Sequence, residues 1–239
     1  MVTGAGGSLG RLVSIYLASH GYNLALCSRS ESALNETVRR IQDATTVYYS
    51  AFDATDLLKV SEFIDYSVEK FGKIDVIINC LGTVNSVNPL ELQGIAESLR
   101  IIQVNLIAPF FFLSKLVPIL RRQDGGLIIN IASKAGVIPV PGLATYSASK
   151  AGLIALTEAL AKELKDNNIV CISISPSGIN SPMRNVTFGD AAKQQDPEYV
   201  ASVITEIVVS GMLNGERVLS GSNVLIVKGE VIVRAMEEM

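Results

Sequence analysis

Short apolar, β-branched runs recur along the chain, separated by longer stretches in which apolar residues return every three or four positions. Tyr22 to Cys27, Thr46 to Ala51, Ile74 to Cys80, Leu127 to Ala132, Ile169 to Ser175 and Val224 to Val227 predict strands. The intervening segments, at about 8–20, 30–43, 56–71, 95–122, 144–166 and 197–213, predict helices. Ser30 ahead of Ala33-Leu34 and Asp56 ahead of Leu57-Leu58 have the composition of helix starts. Strands that are apolar throughout must be buried on both faces, and alternation with helices supplies the cover. The expected fold is therefore α/β, a doubly wound parallel sheet with right-handed crossovers.

No repeat, low-complexity tract or Pro/Gly/Ser-rich linker divides residues 1–239, so one domain is expected. Only Met1 and Val2 precede Thr3, where a first strand is required. Either that strand is very short or a few residues are missing ahead of Met1. Residues 177–196 carry Pro182, Gly189 and polar side chains after the sixth apolar run, the make-up of a mobile substrate loop. Within it Met183, Val186 and Phe188 lean apolar.

Composition narrows the function classes. A net charge of −3 gives no basic field for nucleic acid, and 49% hydrophobic with 18% charged residues is ordinary for a soluble protein. Ile101 to Leu120 is interrupted by Gln103, Asn105, Pro109, Lys115 and Pro118. It falls short of the ~20 apolar residues of a membrane span and reads as a core helix. No secretory leader pattern is present, so a cytoplasmic location is expected. Cys27, Cys80 and Cys171 are widely spaced in apolar sequence, as reduced buried thiols would be, with no metal site implied. The single histidine, His20, precedes Gly21 at an expected helix end and reads as a cap.

The stretch TGAGGSLGR, residues 3–11, opens the first helix. Glycines permit positive φ and close backbone approach, and the free N–H groups of a helix start favour a pyrophosphate. This predicts a Rossmann-type dinucleotide site at Thr3, Gly4, Gly7, Ser8, Leu9 and Gly10. A site for NAD usually has an acid after the second strand to bind the ribose 2′-hydroxyl. Here Ser28 and Arg29 stand there. A guanidinium pairs with a 2′-phosphate, so NADP(H) is favoured over NAD(H). The plainer alternative for Arg29 is a solvated loop charge.

In ATYSASKAG, residues 144–152, a phenol and an ammonium stand four apart among small residues, which places Tyr146 and Lys150 on one helix face. Together with the glycine turn, NCLG at 79–82, IINIAS at 128–133 and YSASK at 146–150, the order of motifs resembles the short-chain dehydrogenase/reductase family over nearly all of the chain. The resemblance is greatest to the 3-oxoacyl-acyl-carrier-protein reductases. It implies four catalytic residues, Asn105, Ser133, Tyr146 and Lys150, with Ser133 thirteen residues before Tyr146 as the family requires. It further assigns Asp53 and Ala54 to the adenine edge, although Asp53 could equally cap the next turn. Asn79, Cys80 and Gly82 are implied beneath the cofactor, and Pro176 and Ser181 beside the nicotinamide. Ser8, Leu81, Ser177 and Lys228 depart from the family pattern; the resemblance then implies a modified glycine turn, and a site narrowed on the Leu81 side.

The implied reaction is hydride transfer between a nicotinamide cofactor and a carbonyl or alcohol, with Tyr146 as the proton donor. Moving a phenol from about 10 to about 7 takes roughly 4 kcal/mol. A unit charge about 5 Å away at an effective dielectric of 20 contributes on the order of 3 kcal/mol. Lys150 is therefore expected to supply most of the shift, and the small residues around the pair to leave room for the cofactor. By resemblance, Lys150 also binds the nicotinamide ribose, Ser133 holds the substrate oxygen, and Asn105 keeps a water in a proton path to Lys150. Two alternatives stay open: a sugar or polyol dehydrogenase on the same scaffold, and an NADP-sensing protein without turnover. Packing of the long helices 95–122 and 144–166 against a neighbour implies a homotetramer or dimer.

Overall fold

Ile77 and Ile78 are adjacent in sequence and fully buried, yet each belongs to a different core, as do their neighbours Ile128 and Ile129. A strand turns successive side chains to opposite faces, so this pattern requires a sheet covered on both sides. The computed structural model describes residues 1–41, 45–181, 194–227 and 229–234. Its sheet runs β10-β9-β6-β5-β4-β1-β2-β3. These strands are β1 (Val2–Thr3), β2 (Leu24–Ser28), β3 (Val47–Ala51), β4 (Val76–Asn79), β5 (Gly126–Ile131), β6 (Ile169–Pro176), β9 (Asn223–Val227) and β10 (Glu230–Arg234). All pair in parallel except β10, which is antiparallel to β9. The first strand has only two residues, and it still bridges β2 and β4 in register.

One face is covered by α1 (Ser8–Ser19) and α8 (Pro197–Ser210), whose Val13, Leu17 and Ile204 meet Leu26, Ile78 and Ile174. On the other, α3 (Leu57–Phe71) and α5 (Ala108–Arg122) bring Phe63, Phe112 and Leu116 onto Ile77 and Ile128. The remaining helices are α2 (Glu31–Arg39), α4 (Ile95–Ile102), the short α6 (Lys134–Val137) and α7 (Ala144–Glu163). Both expected helix starts are capped. The Ser30 hydroxyl accepts from Ala33 N–H at 3.3 Å, and Asp56 accepts from Leu58 and Lys59 at 3.1 and 3.2 Å. His20 is the C-cap of α1, its ring Nδ1 2.8 Å from the Tyr16 carbonyl.

The segment expected as one helix at 95–122 is continuous, but a π-helical turn at Gln103–Ile107 separates α4 from α5. By length and composition this helix could cross a membrane; its buried side instead carries Ile101, Asn105, Phe112 and Leu116 into the domain. The last helix ends at Ser210 and not at 213, because Gly211 takes a left-handed φ of 68° and stops it. Behind it Asn214 and Gly215, both at positive φ, form the two-residue turn of a hairpin between β7 (Met212–Leu213) and β8 (Glu216–Arg217). This hairpin, α6 and β10 were not anticipated by periodicity, since each is too short to show one. Of the loop expected at 177–196, residues 182–193 lie outside the described residues, as does Lys228. Pro182, Met183, Val186, Phe188 and Gly189 are among them.

Candidate active site

The parallel strands end at a cavity of about 810 Å³ formed between the glycine turn, β4, β5, α6, α7 and the chain leaving β6. Its volume is that of a cofactor or ligand site. At one end lie Gly4, Gly7, Ser8, Leu9 and Gly10. Gly4 is at φ +68°, and a Cβ there would stand 2.7 Å from the Cys80 carbonyl oxygen. A Cβ on Gly10 would meet the Gly4 carbonyl oxygen at 2.4 Å. The turn is thus folded onto itself as only glycine allows. Ser8 needs no such freedom, because it begins α1 on ordinary backbone without positive φ, which explains a serine where the family has glycine. No side chain caps α1, which leaves its first N–H groups without a side-chain partner beside the cavity.

Thr3 and Asn79 lie one layer below, fully buried. Thr3 Oγ1 donates to Asn79 Oδ1 at 3.4 Å, Asn79 Nδ2 to Asn130 Oδ1 at 2.7 Å, and Asn130 Nδ2 to Thr157 Oγ1 at 2.8 Å. This chain of side chains ties β1, β4 and β5 to α7 and fixes the floor of the site. Cys80 and Gly82 line the cavity above it. Burial pushes the Cys80 thiol up to about 12 although Lys150 pulls the other way, so the thiol stays protonated. Leu81, also lining the cavity, turns its carbonyl to Lys150.

Lys150 is buried and donates to the Ile131 carbonyl at 2.8 Å and the Leu81 carbonyl at 3.3 Å. Burial lowers its pKa to about 8, with Cys80 acting in the opposite sense. Ser133 is the N-cap of α6, its hydroxyl accepting from Ala135 N–H at 3.1 Å. Gly136 holds α6 against α7, since a Cβ there would be 2.7 Å from the Lys150 backbone carbon. Ser133, Tyr146 and Lys150 therefore converge on the cavity from two elements packed backbone to backbone. Burial raises the Tyr146 phenol above its ordinary 10, and the Ser133 hydroxyl opposes this. The downward shift expected from Lys150 is absent, because the amine, at about 8, is already neutral where a phenol raised above 10 ionises.

Asn105 sits in the π turn with its side chain wholly occupied. Nδ2 donates to the Thr83 carbonyl at 2.9 Å and to Ser149 Oγ at 3.0 Å, while Oδ1 accepts from Thr83 N–H at 2.8 Å. A π turn inside a helix is frequently a functional feature. Here it seats an amide that clamps the segment after Gly82. Ser149 donates in turn to the Tyr146 carbonyl at 2.7 Å. The small residues of the 144–152 stretch thus have a second reason: Ser147 and Ser149 are buried and bond to protein, whereas Ala148 is exposed.

Of the remaining expected residues, Ser28, Arg29, Asp53 and Ala54 are not among those that line the cavity. Pro176 and Ser181 line the cavity, as does Ser177, whose hydroxyl accepts from Gln195 Nε2. Ser28 packs on Gly6, where a Cβ would stand 2.6 Å from its hydroxyl oxygen. Arg29 is exposed at the end of β2. Ala54 is buried beside Asp53, whose carboxylate is taken up by Arg100 at 2.6 Å and by the Thr55 N–H and hydroxyl at 2.9 and 2.7 Å. Burial would raise Asp53, but the Arg100 and Thr55 hydrogen bonds and the Arg100 charge hold it down at about 2. Sequence reasoning missed Arg100, and it missed Arg11, which lines the cavity and bonds to Thr37 Oγ1 and the Gly6 and Ala33 carbonyls. Apart from Gly6, their partners lie far off along the chain, beyond any local pattern.

A glycine turn at an uncapped helix start, with Ser, Tyr and Lys converging at the far end of one cavity, defines a dinucleotide-dependent oxidoreductase. The profile of the short chain dehydrogenase family matches residues 1–191, and the chain belongs to that family as an NAD(P)-dependent enzyme. It is 32% identical over 200 residues to the 3-oxoacyl-[acyl-carrier-protein] reductase FabG of Staphylococcus aureus, covering 82% of this chain and 79% of that one. With the levodione reductase of Leifsonia aquatica it shares 31% identity over 215 residues, 87% of this chain and 78% of the relative. An NAD+-bound xylitol dehydrogenase superposes with a TM-score of 0.84 at 25% identity, covering 94% and 95% of the two chains.

Proposed function

We propose that the protein is an NADP(H)-dependent reductase of an apolar carbonyl compound, with a 3-oxoacyl thioester as the first candidate substrate. The observation that carries this reading is that Ser133, Tyr146 and Lys150 line the same cavity as the glycine turn. The wall around that pair is Val84, Ile138, Pro139, Val140, Pro141 and Leu143, with no carboxylate among them. Such a wall favours an alkyl chain or ring over a polyol, whose hydroxyls would lose water without gaining partners. The acyl-carrier and diketone relatives agree with it.

For the cofactor, the residues present fit a nicotinamide dinucleotide. The turn at Gly4, Gly7, Ser8, Leu9 and Gly10 would hold its pyrophosphate, and Lys150 its nicotinamide ribose. Cys80, Gly82, Pro176 and Ser181 would line the nicotinamide end, over the floor set by Thr3 and Asn79. Asp53 and Ala54 would border the adenine, with Ser28 and Arg29 at the 2′-phosphate. Arg29 supports NADP(H), being exposed and bonded to no described residue. When bound, the cofactor supplies the hydride. Tyr146 gives its hydroxyl proton to the carbonyl oxygen, so hydride and proton together make the alcohol, and the Ser133 hydroxyl donates to the same oxygen. Lys150, charged below about pH 8, stabilises the phenolate left behind, and Asn105, its amide held by Thr83 and Ser149, positions the segment after Gly82. The exposed Ile95, Leu99, Ile107 and Phe110 along the helix at 95–122 support a homotetramer or dimer, and a cytoplasmic location is consistent with this chemistry.

The test is NADPH consumption, repeated with NADH, by wild type and Tyr146→Phe on a 3-oxoacyl thioester, cyclic diketones, aldehydes and keto-sugars. Turnover of the apolar carbonyls, lost in the variant while cofactor binding persists, supports the proposal. Preference for keto-sugars favours a polyol dehydrogenase, and cofactor binding without any turnover favours an NADP sensor.

A further inference from the structure

Ser177, one of the departures from the family pattern, lines the cavity just past the end of β6. Its hydroxyl oxygen accepts from Gln195 Nε2, and the same nitrogen donates to the Ile226 carbonyl at 2.7 Å. A carbonyl can only accept, so the amide cannot be turned round and both of its N–H groups are committed. Gln195 is 7% exposed, lies outside the cavity lining and has no partner for its Oε1. Its backbone grips the same stretch: its N–H donates to the Gly178 carbonyl at 2.8 Å, and its carbonyl accepts from Asn180 N–H at 2.9 Å. This residue, just ahead of α8, thus seats residues 177–180 from behind.

Accepting from Gln195 leaves the Ser177 hydroxyl its own proton, and no acceptor takes that proton among the described residues. Ser133 is arranged alike, its oxygen accepting from Ala135 N–H. The ladder relates the two serines. Ile131 pairs with Ile174, and Ala132 N–H donates to the Ile174 carbonyl at 2.8 Å. Ser133 is extended, at φ −164° and ψ 152°, and Ser177 N–H donates to the Ile226 carbonyl at 2.7 Å. Both strands therefore run on to these serines, with Ser177 one residue further along. At a strand spacing of about 4.8 Å and a rise of about 3.3 Å, their Cα atoms are about 6 Å apart. Two hydroxyl donors this close suit two acceptor oxygens a few bonds apart on one molecule. We propose that Ser177, held by Gln195, is a second oxygen site for the substrate. Ser133 takes the carbonyl that is reduced, and Ser177 donates to the other oxygen of a 1,3-dicarbonyl compound such as a 3-oxoacyl thioester. Gln195 is the positioning residue that keeps the hydroxyl a donor. The inference rests on the reductase reading and narrows its substrates to compounds carrying that second oxygen.

The test compares NADPH-dependent reduction of the 3-oxobutanoyl thioester of N-acetylcysteamine with that of heptan-2-one, which has no second oxygen. In Ser177→Ala the ratio of kcat/KM for the thioester to kcat/KM for the ketone should fall about tenfold, as for one hydrogen bond lost from a desolvated acceptor. Gln195→Leu should lower the same ratio. The double variant should fall no further than Ser177→Ala, because the amide acts through the hydroxyl. A ratio taken within one variant does not depend on how much of the preparation is folded. If wild type reduces the thioester and not the ketone, the second oxygen is already required, and Ser177→Ala should lose about tenfold on the thioester alone. Fluorescence titration should meanwhile show an NADPH Kd within about twofold of wild type. An unchanged ratio in Ser177→Ala overturns the proposal. An NADPH Kd raised by as much as the thioester reaction is slowed also overturns it, by giving the hydroxyl to the cofactor. A wild-type ratio in Gln195→Leu overturns the positioning role. All three leave the reductase reading standing, whereas wild type that reduces neither compound defeats that reading and this inference with it.

Discussion

The Lys150 ammonium lies 2.8 Å from the Ile131 carbonyl oxygen, at the end of β5 and two residues before Ser133. An amine on α7 thereby plugs the end of the strand that leads into Ser133. It also keeps the charge out of water, which is why burial brings its pKa down to about 8 from 10.5.

Two pH effects follow from that value. In the free enzyme Lys150 is charged below about pH 8 and neutral above it, so kcat/KM for NADPH should fall as pH rises through about 8. In Lys150→Arg, which stays charged, any residual activity should lack this limb. Stability runs the other way. The folded value lies below the unfolded one, so between about 8 and 10.5 the unfolded chain binds more protons and stability should increase with pH. Below that window the burial costs about 3 kcal/mol at 1.36 kcal/mol per unit. Urea unfolding of wild type and Lys150→Met at pH 7 and pH 10 checks this, the rise being absent from the variant.

The proposed preference for NADP(H) rests on Arg29. A hydrogen bond to a charged group is worth about 1.5–3 kcal/mol, or roughly 10- to 100-fold in affinity. Arg29→Ala should raise KM for NADPH by that factor and leave KM for NADH within about twofold. Steady-state kinetics with both cofactors decides it, and an unchanged ratio returns Arg29 to a solvated loop charge.

The glycine turn and the Tyr146/Lys150 spacing were legible because each is written in a few consecutive residues. The caps Ser30 and Asp56 were legible for the same reason. What joins them was not. Asn105 to Ser149 spans 44 residues and Asn79 to Asn130 spans 51, so no periodicity signals either bond. Ser147 and Ser149 were read as empty space for a cofactor, because smallness is visible in a sequence while the partner of a hydroxyl is not. Asn214-Gly215 did carry a hairpin signal, but the flanking strands of two residues each have no alternation to read. Strand β10 follows Gly229 as a polar-ended run too exposed to resemble the buried strands before it.

Gly10 tests how tightly the turn is closed. A Cβ there would lie 2.4 Å from the Gly4 carbonyl oxygen and 3.1 Å from Ala5 Cα, all backbone that cannot rotate aside. Gly10→Ala should cost about 1–3 kcal/mol of stability by overpacking and weaken NADPH binding more than tenfold. At Gly7 the nearest atom is 3.3 Å away, so Gly7→Ala should bind NADPH far better than Gly10→Ala does. Thermal melts and cofactor titrations of the pair read both effects.

Arg100 joins the loop of Asp53 and Thr55 to the helix of Asn105. Its Nη2 donates to Asp53 Oδ2 at 2.6 Å and its Nη1 to Thr55 Oγ1 at 3.0 Å, five residues before the π-turn amide. About a third of each side chain in the ion pair is exposed, so water screens it and its worth is at most about 1 kcal/mol. Asp53 has a folded pKa near 2, below that of an unfolded carboxylate. The stabilisation is therefore complete above about pH 4 and lost as pH falls toward 2. Arg100→Gln should lower the urea midpoint at pH 7 and show a smaller difference from wild type at pH 3. Asp53→Asn should give a similar loss, and the double variant little more than either alone, as expected for partners in one contact. Because the loop borders the expected adenine edge and not the reacting atoms, KM for the cofactor should rise in Arg100→Gln while kcat stays within about twofold of wild type.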